Sequence, residues 1–404
     1  MPIAIAIRET LGSQSLVRKM FEEGNLLKKQ HGADKVFDFS IGNPDLEPPL
    51  AFRQVFQKLA EEGKKGAHGY MNNAGFPEVR EALAKKASAE QVVIIDGSHV
   101  IMSCGAAGGL NVVFKSILNP NDEVIVSKPY FMEYRPYISN HGGRIVEVDS
   151  LEDFNLDVDS IKAKLSPNTA AVLINSPHNP TGRIYPAETI TRLAAALDEH
   201  GSKCGRKPYL VSDEPYRELA YNGIKVPPLL STYSESIVVS SYSKSLSLPG
   251  ERIGYIAVGP DNTDKQNLLA ALTYATRVLG FVNAPALMQR IVAELTTAKV
   301  DINIYDRRRA AFMQILDEAG IQYAKPEGAF YLFCQVPLRG TVPHKGESGD
   351  DSAFIDHLKK YLVLGVPGSG FAKPGWMRFA YCVDEEIIKA SGAAFKKAME
   401  EWKG

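Results

Sequence analysis

Cysteine is scarce in this 404-residue chain: Cys104, Cys204, Cys334 and Cys382 stand far apart, and no two have C-x-x-C spacing. A disulfide framework is excluded on that count, and no zinc signature is present. An excess of charge of one sign is missing as well. The 46 Lys and Arg nearly cancel the 47 Asp and Glu, leaving a formal net charge of −1, and no long block of like charge occurs. Neither a nucleic-acid-binding surface nor an acidic tail is indicated. No stretch approaches the roughly 20 apolar residues that a membrane span requires. The N-terminal run from Ile3 to Ile7 is too short for a secretory apolar region and meets Arg8 and Glu9 at once. Repeats and low-complexity segments are also absent. The chain therefore reads as cytoplasmic and globular, with neither membrane nor nucleic acid as partner. Its 45% hydrophobic and 23% charged content is ordinary for such a protein. At this length two domains are expected rather than one core.

What is present is an alternation of strand and helix patterns from about Pro77 onward. Short apolar runs rich in β-branched residues occur at His99–Ser103, Glu123–Ser127, Arg144–Asp149, Ala170–Asn175, Tyr209–Asp213 and Ile237–Ser241. Helix-length segments such as Glu78–Ser88, Ala106–Leu118 and Ala187–His200 precede or separate them. This rhythm predicts an α/β fold with a mainly parallel sheet covered by helices on both faces. In such sheets ligands gather beyond the carboxyl ends of the strands, so the residues that follow each apolar run are candidates for one site. A second, smaller α+β unit is expected after about Ala284. It comprises helical patterns over Leu287–Asp317, the segment Gly328–Phe333, a polar loop Arg339–Asp351, a helical stretch Ser352–Tyr361 and a closing strand Trp376–Ala380. The first 48 residues lack the βαβ rhythm and are assigned to this unit. The division is thus 49–285 for the large domain, and 1–48 with 286–404 for the N-terminal arm and small domain.

Six segments carry chemistry. After Ile237-Val238-Val239 comes Ser240-Ser241-Tyr242-Ser243-Lys244, and eight residues beyond the lysine lies Arg252, past Pro249-Gly250. A lysine at a strand end can form a Schiff base with a carbonyl, while nearby Ser and Arg can hold a phosphate. Together these are the groups needed to anchor pyridoxal phosphate. Asp213-Glu214-Pro215-Tyr216 follows another run, and its carboxylate can pair with a protonated ring nitrogen. Asn179-Pro180-Thr181-Gly182 follows a third. Gly105-Ala106-Ala107 opens a helix, where bare N–H groups make a phosphate seat. Pro129-Tyr130-Phe131 offers an aromatic ring to stack on a cofactor, with Tyr130 preferred and Phe131 as its rival. Arg378 lies in the closing strand, where a guanidinium suits a carboxylate through two parallel hydrogen bonds.

These segments, in this order, resemble the class I and II aminotransferases, the fold-type-I pyridoxal-phosphate family, from about Asp38 to the C-terminus. The resemblance implies that Lys244 carries the cofactor as an internal aldimine in a ping-pong transamination between an L-amino acid, aspartate or similar, and a 2-oxo acid such as 2-oxoglutarate. By the same resemblance Lys244, Asp213 and Tyr216 are catalytic, and Tyr216 and Asn179 reach the phenolic oxygen. Gly105, Ala106, Ala107, Ser241, Ser243 and Arg252 hold the phosphate. Tyr70 reaches the phosphate of a neighbouring subunit, which implies a homodimer with shared active sites. Gly42, in Ser40-Ile41-Gly42-Asn43-Pro44, Asn179 and Arg378 contact substrate, and no metal is implied. Two departures stand out. Ala106-Ala107 replaces the hydroxyl or amide side chains of many relatives, and Glu251 stands where others carry an aromatic. Pro177–Arg183 is also reminiscent of pyridoxal-phosphate carbon–sulfur β-lyases, which remain the alternative. A cofactor-sensing DNA-binding regulator would need a long N-terminal segment ahead of the fold. Arg277 lies near the region where the aspartate-specific branch places a second cation, but its spacing to Asn283-Ala284-Pro285 does not match.

Overall fold

The apolar runs form strands because β-branched residues favour a pleated, buried surface. In the computed structural model, which describes residues 3–5, 7, 8, 16–339 and 349–403, they build a seven-stranded sheet. Its strands are β2 (Val100–Ser103), β3 (Glu123–Lys128), β4 (Arg144–Asp149), β5 (Thr169–Asn175), β6 (Tyr209–Asp213), β7 (Ser236–Ser241) and β8 (Gly254–Val258). A first strand, β1 (Phe37–Asp38), precedes them outside this sheet. The sheet order is β2-β8-β7-β6-β5-β3-β4, parallel from β4 to β7, with β8 running antiparallel to both neighbours. Every residue of β5 is buried, as a strand covered on both faces requires. Val172 and Ile174 pack into the core on one face with Leu210 and Val238. Ala171 and Leu173 pack into that on the other, with Val211 and Val239.

The helices that cover the sheet begin and end on recognisable signals. Pro77 occupies the first turn of Pro77–Gln91, where its missing N–H costs nothing. Gly205, at φ 74, closes Ala187–Cys204 in the left-handed conformation and donates its N–H to Gly201. The helical pattern over Leu287–Asp317 is split into Ala286–Glu294 and Ile302–Ala319, the second capped by the Asp301 carboxylate on the Asn303 N–H. Ala286–Glu294 buries Met288, Ile291 and Val292 against Val79 and Leu83 of Pro77–Gln91, beside the large sheet.

A second core surrounds an antiparallel sheet of order β12-β13-β10-β9, made of β9 (Tyr323–Ala324), β10 (Tyr331–Gln335), β12 (Val366–Pro367) and β13 (Trp376–Ala380). The stretch β1 pairs in parallel with β11 (Val363–Leu364). Residues 340–348 of the anticipated polar loop lie outside the described residues, and the helix after it runs Asp351–Lys359. Among the described residues no helix is long and apolar enough to cross a membrane.

Candidate active site

Three adjacent parallel strands end on polar residues. Asn175 closes β5 and pairs in register with Asp213 at the end of β6, while β7 ends at Ser241. β2 ends at Ser103 on the same edge, because β8 lies antiparallel between it and β7. It leads directly into the helix Gly105–Ile117. The strand ends therefore converge on a cavity of about 320 Å³, lined on the small-unit side by Ile41, Gly42, Tyr331 and Arg378.

Most of the sequence-predicted site meets there. Ala106, Ala107, Asn179, Asp213, Tyr216, Ser241, Ser243, Lys244, Arg252, Gly42 and Arg378 all line this one cavity. Gly105 abuts it: at φ +70 it adopts a conformation that favours glycine, and a Cβ there would lie 2.7 Å from Arg252 Nη2. Cys104 gives the helix no side-chain cap, and Gly105 at its start lies beside the Arg252 guanidinium.

Two predicted residues stand elsewhere. Tyr130 is buried outside the cavity, its hydroxyl donating to Glu147 at 2.5 Å and its ring under Arg135. Phe131, the rival, lines the cavity instead. Tyr70, expected at a neighbouring subunit's phosphate and not at its own, is 92% exposed. Arg277 is likewise exposed, with its guanidinium over the Tyr274 ring.

The charged groups are held in unusual states. Burial, aided by the guanidiniums of Arg378 and Arg252, moves the Lys244 amine down to about 8, against the opposing pull of Cys382. Its Nζ donates to the Gly42 carbonyl at 2.7 Å. Burial also raises the Asp213 carboxyl to about 7; the Tyr134 hydroxyl opposes this and Glu214 reinforces it. Oδ2 of Asp213 accepts from Tyr134 at 2.7 Å, while Oδ1 is buried with no hydrogen-bond partner among the described residues. Arg378 donates to Asn179 Oδ1 at 3.0 Å and to the Ser40 carbonyl at 2.7 Å, with its face against the Tyr331 and Phe371 rings. Its Nε is buried without a partner among the described residues.

Sequence reading missed Tyr134, Tyr331 and Asn175. Tyr331 shares a 2.7 Å hydroxyl contact with Tyr216, and its ring sits so near Gly42 that any side chain there would collide with it. Asn175 binds the main-chain carbonyl of Asp213 and the N–H of Asn179, each at 2.7 Å, and so braces two site residues. Its place as the last residue of an apolar run was a usable signal. Tyr134 and Tyr331 carry no local mark.

Comparison with known proteins agrees with this geometry. The sequence model of the family described as aminotransferase class I and II matches residues 34–391. A probable aspartate/prephenate aminotransferase of Aquifex aeolicus is 33% identical over 91% of this chain and 91% of its own. The aspartate/prephenate aminotransferase of Thermus thermophilus is 31% identical, covering 92% of each. Among solved structures, an aminotransferase from Eubacterium rectale superposes with a TM-score of 0.94 at 36% identity over the whole of both chains. An aspartate aminotransferase from Thermus thermophilus, solved with maleate, gives 0.84 at 28% identity over 95% of this chain and 96% of that one. These relatives are transaminases, so the lyase alternative is not favoured. A family match over most of the length, on a fold that brings the lysine, aspartate and arginine segments to one cavity, makes this chain a member of the class I and II aminotransferases, and an aminotransferase by activity.

Proposed function

We propose that the chain is a pyridoxal-phosphate enzyme that moves the amino group of an L-amino acid of the aspartate kind to a 2-oxo acid such as 2-oxoglutarate, in two half-reactions at this cavity. The observation that carries the reading is a buried lysine amine facing the same cavity as a carboxylate oxygen that lacks a hydrogen-bond partner among the described residues. The donor set fits the cofactor. Asp213 Oδ1 suits a ring N–H cation, and the uncapped helix start at Gly105–Ala107, with Arg252, Ser241 and Ser243, suits a phosphate. Asn179 and Tyr216 are assigned to its phenolic oxygen, and Phe131 to its ring face in place of Tyr130.

When bound, the cofactor supplies an aldehyde for the amino group and a ring that withdraws electrons as the α-proton leaves. The protein's own residues do the rest. Arg378, oriented by Asn179, grips the substrate carboxylate through the groups that now hold the Ser40 carbonyl. Lys244 Nζ takes the proton from the substrate α-carbon, a role for which an amine near 8 is matched to neutral pH. Asp213 keeps the ring nitrogen protonated, and the Gly42 loop and the Tyr331 ring limit the entry of water. We also assign the Phe37–Asp38 pairing, and the chain beyond Leu295, to the small domain. The helix Ala286–Glu294 goes with the large one, which moves the expected boundary of 285 by about ten residues.

The cations lining the cavity among the described residues are Lys244, Arg252 and Arg378, and each already has a task. A dicarboxylic substrate needs one more, which we assign to a second copy. The reading is a homodimer with shared sites, in which Tyr70, 92% exposed, reaches the partner's cofactor. Four unpaired cysteines support a reducing, cytoplasmic setting.

The test is to add single amino acids to the cofactor-loaded protein with no oxo acid present. One equivalent of 2-oxo acid per site, released as the visible band is lost, is the expected result, with aspartate among the fast donors. Continuous release of ammonia and pyruvate from a sulfur amino acid would instead establish lyase chemistry. Arg378→Ala is expected to raise the amino-acid KM roughly 100-fold, from the loss of a charged bidentate contact, while cofactor uptake is retained. Steady-state kinetics alongside cofactor titration would show it.

A further inference from the structure

The mechanism leaves one buried group beside the reacting centre unused. Tyr134 lies on the short helix Tyr134–Ser139, fully buried, and its hydroxyl donates to Asp213 Oδ2 at 2.7 Å. The bond spans 79 positions of sequence. Its ring meets Phe131 edge-on, with centroids 5.6 Å apart and planes at 87°. One turn of chain thus supplies both the ring that lines the cavity and the hydroxyl that engages the carboxylate.

A carboxylate has two equivalent oxygens and can rotate about its terminal torsion. The main chain of Asp213 is already fixed by Asn175 and by its register with Val239, so its side chain is the free variable. Oδ2 is engaged by Tyr134, and Oδ1 is the buried atom without a partner among the described residues.

We infer that Tyr134 is a positioning residue for the cofactor: it pins Oδ2 of Asp213 so that Oδ1 alone is presented to the ring nitrogen. The inference rests on the proposed cofactor reading. Tyrosine suits the task because burial and the neighbouring carboxylate push its hydroxyl well above the ordinary range, so it stays a donor at every working pH. The other groups that face Asp213 are Glu214 beside it in sequence, Tyr216, and Tyr137 on the same helix as Tyr134. Glu214 is turned away into an ion pair with Arg217 at 2.8 Å and a bond from Gln91 at 3.0 Å, and Tyr216 is turned to Tyr331. Tyr134 is the one of these four with a hydrogen bond to the Asp213 side chain.

The test is Tyr134→Phe, which removes one oxygen and keeps the ring. Pyridoxal phosphate affinity is read by fluorescence quenching, and the visible band of the bound cofactor is titrated against pH. Loss of a hydrogen bond to a charged group predicts affinity about tenfold weaker or more, and a displaced pH profile. In an Asp213→Ala background the same substitution is expected to change neither readout further. Wild-type affinity and an unmoved profile in Tyr134→Phe would overturn the inference alone. So would an equal loss in both backgrounds, which would mark Tyr134 as packing only. Failure of the wild-type protein to bind pyridoxal phosphate would overturn the cofactor reading as well, so the two failures are distinguishable.

Discussion

Lys244→Ala is expected to lower turnover by about four orders of magnitude, the upper end of what a single general base contributes, with the loss of the nucleophile added to it. The fold should survive. Lys244 has a folded value near 8, against about 10.4 for a free lysine. Between those values the unfolded chain holds more proton than the folded one, so the wild-type protein gains stability as pH rises from 8 to 10.4. Below pH 8 the buried ammonium is a cost, offset in part by its bond to the Gly42 carbonyl. The alanine variant should therefore melt at or above the wild-type temperature at pH 7, and lack the rise above pH 8. The same state governs cofactor capture. The uptake rate should climb about tenfold per pH unit and level near 8, whereas an unperturbed lysine would level only above 10. Turnover within tenfold of wild type would exclude Lys244 as the reacting amine. A late plateau would mean that burial does not depress it.

How much of this was legible depended on whether a feature is local. The runs Arg144–Asp149, Tyr209–Asp213 and Trp376–Ala380 became strands with the expected bounds, because a buried strand writes its own apolar signature. Asp213, Asn179 and Lys244 were singled out because each lies at or within four residues of the end of such a run, and parallel strands bring their carboxyl ends to one edge. The reversal of β8 left no such mark. Gly254–Val258 is as buried as the parallel strand β5, and only its pairing with β7 and β2 sets its direction. Tyr130 and Phe131 are adjacent aromatics, and composition cannot say which one turns inward. The answer depends on Glu147, in the next strand, capturing the Tyr130 hydroxyl. Tyr134 and Arg378 meet partners 79 and 199 positions away, distances over which no sequence pattern operates.

Asp213→Asn is the sharpest probe of the remaining half of the chemistry, because it preserves volume and an acceptor for Tyr134 while removing only charge. A buried ion facing a developing charge acts in a water-poor site, where removing one such group costs about 100- to 1,000-fold in kcat. The loss should fall on kcat far more than on the amino-acid KM, because the substrate carboxylate is assigned to Arg378, whose own bonds go to Asn179 and Ser40 and not to Asp213. The cofactor-free protein offers an independent check. Asp213 there sits near 7, well above the 3.9 of a free aspartate. The folded state thus binds more proton than the unfolded state between these values, and its stability falls as pH rises from about 4 to 7. The asparagine variant should lose that decline and be the more stable protein at pH 8, although it is the poorer enzyme. A cationic ring nitrogen opposite Oδ1 would favour the carboxylate and draw its value back down, so loading wild type with cofactor should also flatten the decline. If kcat holds within about threefold, or if the decline persists in Asp213→Asn, the unpartnered oxygen is not the one that serves the ring, and the protonated state must be held by another group. The opposing demands on this one carboxylate, costly to bury alone and assigned a charged role when the site is full, account for a residue held at its main-chain carbonyl by Asn175 and at its carboxylate by Tyr134.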